Sequence, residues 1–367
     1  MTLVLKGVGT ALPPHSISQA DAAQLARRFH PGPDEEARLL PLLYRRSGVK
    51  QRQSVLLHTP EGPPEERQSF FPPSKANGSR GPSIGERMQV YEREAPPLAV
   101  AAATRALQTS GVSSRDITHL ITVSCSGFMA PGLEVPLIRE LPLRPTVART
   151  QIGFMGCHGA LNGLRVATAF VQADPSAHVL LCAVELCSLH FHYSAESDKV
   201  VANALFADGA AAAVLGAESA NRPEPWRLAA SGSLVIPDSE DAMSWRIRDH
   251  GFEMTLSSRV PDLIRQHLRG WLVEWLARQE LTLEEIGCWA VHPGGPRILA
   301  AVEEALQLPP EALAPSRDVL SECGNMSSPT VLFICERLRR EGARPPCVML
   351  GFGPGLVAEA ALFAPPR

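Results

Sequence analysis

Residues 151–164 read QIGFMGCHGALNGL, a strand-to-helix turn with a cysteine between two glycines. Gly156 and Gly159 permit the chain to turn tightly there. The Cys157 thiol then lies at or near a helix N-terminus, where backbone N–H groups and the helix dipole favour thiolate. A nucleophilic cysteine needs that environment, because the thiolate is the attacking form. The competing reading is a small buried cysteine with no chemistry. Outward from this turn, ALNGLRVATAFVQA (160–173) is helical, and HLITVSCSG (119–127) and HVLLCAVE (178–185) are apolar runs that read as buried strands. LFADGAAAAVLG (205–216) is a glycine turn feeding a further strand. Upstream, residues 84–110 carry a helical pattern ended by Gly111, and MTLVLKGVGTALPP reads as a first strand.

The rest of the chain repeats this grammar. VPDLIRQHLRGWLVEWLARQ (260–279) is an amphipathic helix, and GCWAVHPGG (287–295) is a strand ending in a histidine and a glycine pair. SSPTVLFICERLRREG (327–342) is a helix stopped by Gly342, and VMLGFGPGLVAEAALFA (348–364) gives two strands around a Gly-Pro-Gly turn. A turn and helix follow Cys157, and a turn and helix follow Asn325. This pattern points to an α/β protein of two related halves, residues 1–220 and 221–367, with candidate residues on turns that meet between them.

Composition bounds the function. The chain has 367 residues, 45% hydrophobic and 20% charged, enough for a large core in an ordinary globular protein. A formal net charge of -3 gives no basic field for nucleic acid or an anionic membrane. The 8 cysteines form no CxxC pair and sit largely in apolar runs. They read as reduced thiols of a cytoplasmic protein, not as a disulfide framework or zinc site. No apolar run reaches the roughly 18 residues of a membrane span, and the N-terminus lacks a secretory pattern. The Pro/Gly/Ser-rich stretch from Thr59 to Ser83 reads as an exposed, partly mobile loop.

Two further residues join Cys157. His292 ends an apolar strand and is followed by Pro and two Gly, which places it on a constrained turn at a sheet edge. There it can pair with a thiol and donate to an oxyanion; a structural histidine is the alternative. His158, His190 and His192 are rivals, although the side chain of His158 should point away from its neighbour Cys157. Asn325, in VLSECGNMSSPTVLF, offers an amide donor for an enolate or tetrahedral oxyanion, or else caps a helix.

GCHGALNGL, LFADGAAAAVLG, HPGGPRIL, LSECGNMSSPTVLFI and GFGPGLVAEAAL occur in one order along the chain. That order and wording resemble the bacterial type III polyketide synthases of the chalcone synthase-like family, from about Lys6 to the end. The resemblance implies a thiolase-like five-layered αβαβα fold of two pseudo-duplicated halves, assembled as a homodimer. It implies a Cys157–His292–Asn325 triad, acyl-CoA and malonyl-CoA as substrates, and no metal or other cofactor. An acyl starter loads onto Cys157, kept nucleophilic as a thiolate–imidazolium pair. His292 and Asn325 hold the malonyl thioester and the enolate formed by its decarboxylation. Phe206 matches an aromatic gatekeeper and Met254 stands for a second one. Lys50 and Arg52 match a basic segment that contacts CoA phosphates, and Arg297 adds to it. Ser327, in GNMSS, joins the substrate pocket.

Departures from the plant members bear on the product. Cys125 and His190 stand where they carry threonines, Trp245 where they carry Gly, Ala130 where a Met reaches into the partner subunit, and Ala207 where Gly is usual. MSWRIRDHGFEMTLS resembles bacterial members that convert fatty acyl starters into alkylpyrones or alkylresorcinols. Cys125 also resembles members that use malonyl-CoA alone to make tetrahydroxynaphthalene. Competing readings are a single-condensation ketoacyl synthase using acyl carrier protein, an HMG-CoA synthase-like enzyme with Glu185 as the nearest acid, a thiolase, a Cys-His-Asn hydrolase and a non-catalytic scaffold. GNMSS and GFGPG argue against the first, the GFGPG segment lacks a thiolase's second cysteine, and the hydrolase signatures are absent.

Overall fold

The structure is a computed structural model that describes residues 2–74, 80–218 and 226–365. The chain opens with β1 (Leu3–Ala11), a small ribbon strand β2 (Ser16–Ser18) and α1 (Gln19–Phe29). Ser18 caps α1 by accepting from the Asp21 N–H at 3.1 Å. Two short helices follow, α2 (Asp34–Ala37) and α3 (Leu40–Arg46), and then β3 (Gln51–Gln53), which pairs with β2. The long α4 (Ile84–Ser110) starts in a Ser83/Glu86 capping box and ends at left-handed Gly111, as its sequence pattern predicts. Then come β4 (His119–Ser124), α5 (Glu134–Glu140), β5 (Ala148–Gly153), α6 (Gly159–Ala173), β6 (His178–Leu186), α7 (Ser197–Leu205) and β7 (Asp208–Ala217).

The C-terminal part supplies β8 (Arg227–Val235), the hairpin β9 (Met243–Arg248) and β10 (Gly251–Leu256), and α8 (Val260–Ala277). It continues with β11 (Cys288–Val291), α9 (Pro296–Leu306), α10 (Ala314–Cys323), α11 (Thr330–Arg340), β12 (Cys347–Gly353) and β13 (Val357–Ala364). Nine strands join in the order β11-β12-β13-β8-β1-β7-β6-β4-β5. Among the described residues, the two halves of this sheet join where Leu3 and Val4 of β1 pair with Leu228 and Arg227 of β8, with Leu5 N–H donating to Trp226 O beside them.

Alternation along the strands sorts the side chains into layers. On β6, Val179, Leu181 and Ala183 enter a central core with α6 and α11. Leu180, Cys182 and Val184 face the opposite way, onto α4. On β12, Cys347 and Met349 join the central core, while Val348, Leu350 and Phe352 face α8 and α9. The result is helix, half-sheet, paired central helices, half-sheet, helix: the five layers that the family resemblance implies. Both candidate turns, before α6 and before α11, open at the ends of the central helices.

The stretch from Thr59 to Ser83 forms no helix or strand where described, but it is less exposed than its composition suggests. Arg67, Gln68, Phe71 and Ser74 are buried. Arg67 donates to the carbonyls of Thr59 and Ser16, and the Phe71 ring packs against Phe29. Long-range partners hold a segment that local composition marks as loose. Residues 75–79 lie outside the described residues.

Candidate active site

Cys157 sits in a single 3-10 turn, Gly156–His158, that leads directly into α6. Gly156 has φ 74, and a Cβ there would meet Pro354 Cδ at 2.5 Å, so the cysteine turn is seated on the Gly-Pro-Gly turn after β12. His158 points away from Cys157, as expected. Its Nδ1 meets Asn162 Oδ1 at 2.8 Å, and its ring lies where a Cβ on Gly353 would fall, 2.4 Å from His158 Cδ2. Glycine is therefore required in GFGPG by a close approach.

His292 follows β11, with its N–H donating to Leu350 O at 2.7 Å. The residue is 1% exposed, and both ring nitrogens lack a hydrogen-bond partner. Asn325 is held by reciprocal backbone bonds to the end of α7: its N–H donates to Leu205 O, and its carbonyl accepts from the Ala207 N–H, each at 2.9 Å. Its Oδ1 accepts from the Ser327 N–H at 2.8 Å, which leaves the amide NH₂ for the site. Helix α11 begins only at Thr330, so Asn325 is not its cap. The same backbone pairing fixes Phe206 beside Asn325.

Cys157, His292 and Asn325 line one cavity with Phe206, Met254 and Phe352, about 430 Å³ of empty space with its open mouth included. Burial pushes the Cys157 thiol up to about 12, against the hydrogen bonds of Ser327 and Asn325, which favour its ionised form. Burial also pushes His292 down to about 3, with His158 adding to the shift. Burial thus works against the charged form of both groups, and so against the hydrogen bonds and helix terminus that favour a thiolate. Desolvation outweighs the helix terminus here.

An inner chamber adjoins this cavity, about 310 Å³ of empty space with its opening included, and is bordered by Cys125, Cys157, Trp245, Met254 and Ser327. Trp245 and Met254 face each other across the β9–β10 hairpin. The Trp245 indole N–H donates to Cys125 O at 2.7 Å, and Cys125 Sγ lies 3.4 Å from Ser327 Oγ. Beneath the chamber is Glu185, fully buried on β6. It accepts from the N–H groups of Cys125 and Ser126 and from the hydroxyls of Ser126 and Ser328, the last two at 2.6 Å. Glu185 thereby ties the Cys125 loop to the GNMSS turn, with no oxygen left for acid–base work. An acidic residue ending an apolar strand was the sequence feature that marked it. Replacing it with Ala strands several buried donors and is expected to cost about 2–3 kcal/mol. Urea unfolding of Glu185→Ala and Glu185→Gln tests this; equal midpoints for both and the parent would contradict it.

Among curated proteins, the chain is 31% identical to "Alpha-pyrone synthesis polyketide synthase-like Pks18" of Mycobacterium tuberculosis over 98% of this chain and 90% of that protein. It is 34% identical to the 1,3,6,8-tetrahydroxynaphthalene synthase of Streptomyces peucetius subsp. caesius over 97% of this chain and 91% of that protein. The family model for the chalcone and stilbene synthase N-terminal domain matches residues 2–219, and that for the C-terminal domain matches residues 227–365. The chain belongs to the chalcone and stilbene synthase family, the type III polyketide synthases. Among solved structures, PKS-I from the brown alga Ectocarpus siliculosus superposes with TM-score 0.93 at 31% identity, covering 100% of this chain and 98% of that one. The C-terminal type III polyketide synthase domain of Steely1 from Dictyostelium superposes at 0.89 with 26% identity, covering 100% of this chain and 99% of that one. The protein is accordingly an acyl-transferring enzyme of thiolase-like fold.

Within this polyketide synthase, the remaining expected site residues divide. Lys50 and Arg297 are exposed. Their segments meet where Gly48 packs on Pro296, at the outer side of the triad cavity. Arg52 departs from its expected phosphate role. It is buried, donates to the carbonyls of Asn203 and Phe206 at 2.6 and 3.2 Å, and covers the Tyr44 ring. Helix α7 ends in carbonyls that need a donor, and Arg52 supplies it. His190 is likewise committed. Its Nε2 meets Ser126 O at 2.7 Å, its Nδ1 accepts from the Phe252 N–H at 2.9 Å, and its ring stacks on Phe252. It forms a wall of the pocket with no ring nitrogen free for proton transfer. No group of three metal-ligating side chains occurs among the described residues, and no helix among them is long and apolar enough to cross a membrane.

Proposed function

We propose that the protein extends a fatty acyl-CoA starter with malonyl-CoA, using Cys157, His292 and Asn325, and cyclises the product to an alkylpyrone or alkylresorcinol. The observation that carries this reading is the convergence of the Cys157 thiol, an unpartnered imidazole and the Asn325 amide NH₂ in one cavity. Cys157 passes its proton to His292 and attacks the starter thioester. CoA leaves as the thiol, taking that proton, and the acyl group stays on Cys157. Malonyl-CoA then places its thioester oxygen against His292 and Asn325. Loss of CO₂ leaves an electron pair as an enolate, which the two neutral donors hold in a low-dielectric site. The enolate carbon attacks the acyl-Cys157 carbonyl, the C–S bond breaks, and the lengthened chain departs on CoA.

Flexible Met254 at the gate and the alpha-pyrone synthesis in the name of the mycobacterial relative support the starter preference. The halves 1–220 and 221–367 supply the nucleophile and the two donors respectively. Two copies are proposed to form the working dimer. β5 is a terminal strand with an exposed face, and Phe128, Val135 and Met155 are exposed apolar residues, Phe128 and Met155 lying at its C-terminal end. Free thiols at all 8 cysteines suit a reducing, cytoplasmic setting. The test is incubation with malonyl-CoA, with and without a series of acyl-CoA starters, read by mass analysis of products and intact protein. Pyrones or resorcinols formed only with acyl starters support the proposal. An aromatic product from malonyl-CoA alone would replace it with a tetrahydroxynaphthalene-type reaction, which Cys125 in the inner chamber favours. Acyl-Cys157 without extension would sink both.

A further inference from the structure

We infer that His158 is a positioning residue for acyl loading: its ring is the wedge that seats the Cys157 turn on the end of β12 and so holds Cys157 opposite His292 and Asn325. This rests on the roles proposed above for those three residues. Cys157 comes from the part of the chain before β8, and His292 and Asn325 from the part after it. Their alignment therefore depends on contacts that cross between the two parts. In the turn Gly156–His158, Gly156 has no side chain and Cys157 borders the triad cavity. The packing falls to His158, which is 1% exposed.

The seat is close. A Cβ on Gly351 would fall 3.2 Å from His158 Cβ, and one on Gly353 would fall 2.4 and 2.6 Å from Cδ2 and Nε2 of the ring. The ring is also held from its own side. Nδ1 donates to Asn162 Oδ1 at 2.8 Å, one turn along α6, because that oxygen can only accept. The charged groups whose fields reach the ring are Glu359 on β13, Arg165 on α6 and His292. Glu359 is ion-paired with Arg165 and accepts from Ser233 Oγ at 2.8 Å. That pair is a second tie from α6 to the C-terminal part, but it lies two helical turns beyond the cysteine. His158 is the tie at the cysteine itself.

His158 borders neither the triad cavity nor the inner chamber, so its effect reaches the reaction through Cys157. The hydrogen bonds of Ser327 and Asn325 that favour the ionised thiol act only while Cys157 keeps its place. A turn that shifts on its seat loses those bonds and the approach to His292 together. The approach of strand and ring also supplies a compensating change. Gly353 has no left-handed φ, so a methyl there is opposed by the ring; the next neighbour, Met155 O, is 3.0 Å away.

His158→Ala is expected to slow single-turnover loading of Cys157 at least about tenfold at saturating dodecanoyl-CoA, with the half-saturating concentration moved less than about twofold. Gly353→Ala alone is expected to slow loading similarly, because its methyl strikes the ring. In the double variant the methyl enters the space the ring has left, and loading is expected to be at least about threefold faster than in His158→Ala. If Gly353→Ala does not fold, the comparison of His158→Ala with the double variant still decides. If His158→Ala does not fold, His158→Gln, which fills more of the space, takes its place with an expected loss of at least about threefold. A readout independent of turnover is the alkylation of Cys157 by iodoacetamide across pH, followed by peptide mass. Its midpoint is expected to rise by at least about half a pH unit in His158→Ala and to fall back in the double variant, whereas a mere loss of stability leaves it in place. Parental loading and midpoint in folded His158→Ala, or a double variant no better than that single change, overturn the inference. A midpoint that moves and is restored, in a protein that loads no acyl-CoA, supports the positioning role and instead refutes the proposed reaction.

Discussion

Cys157→Ala is expected to abolish covalent acyl loading and to lower polyketide formation at least about 10⁴-fold. The thiol is the proposed nucleophile in a cavity that it shares with His292 and Asn325, the proposed base and donors. Asn325→Asp separates chemistry from scaffolding. It keeps an oxygen for the Ser327 N–H but replaces the NH₂ that faces the cavity with a charged acceptor. A carboxylate beside a forming enolate repels it, so decarboxylation is expected to fall about 10²–10³-fold while loading on Cys157 persists. Intact-protein mass reads the adduct, and release of CO₂ from labelled malonyl-CoA reads the second step. Loading that survives Cys157→Ala, or decarboxylation indifferent to Asn325→Asp, would remove these residues from the mechanism.

Acidification from pH 7 to 5 is expected to cost the fold about 4 kcal/mol through two histidines. Burial pushes both His190 and His292 down to about 3. Unfolded, each titrates near 6.5. A base with a depressed folded value binds more protons when unfolded. Its contribution is therefore complete above about pH 6.5 and is lost as pH falls towards 3. At pH 5 each histidine has lost about 2 kcal/mol. Asp208, which burial raises to about 6, works the other way and returns about 1 kcal/mol over the same interval. His190→Gln isolates one part, since an amide can keep a donor to Ser126 O and an acceptor for the Phe252 N–H. Urea midpoints of parent and variant should converge by about 2 kcal/mol between pH 7 and 5. Parallel curves would show that His190 titrates normally in the fold.

The sequence by itself determined an α/β protein of two related halves and, through the order of its motifs, the family; the layered fold and the candidate triad came with that resemblance. The physical reason is locality. The turns at Cys157, His292 and Asn325 are written by glycines and prolines within a few residues, and the strands and helices around them by short-range periodicity. Burial and partnership across the chain were decided only in the tertiary structure. Arg52 looked like a phosphate contact, yet the carbonyls that claim it lie about 150 residues away. His190 looked like a reactive group, yet Phe252 and Ser126 consume both its nitrogens. Glu185 gained its role only when the Cys125 loop and the GNMSS turn arrived beside it. The upward push on the Cys157 thiol followed the same rule, because a turn sets a dipole but enclosure by distant strands sets desolvation.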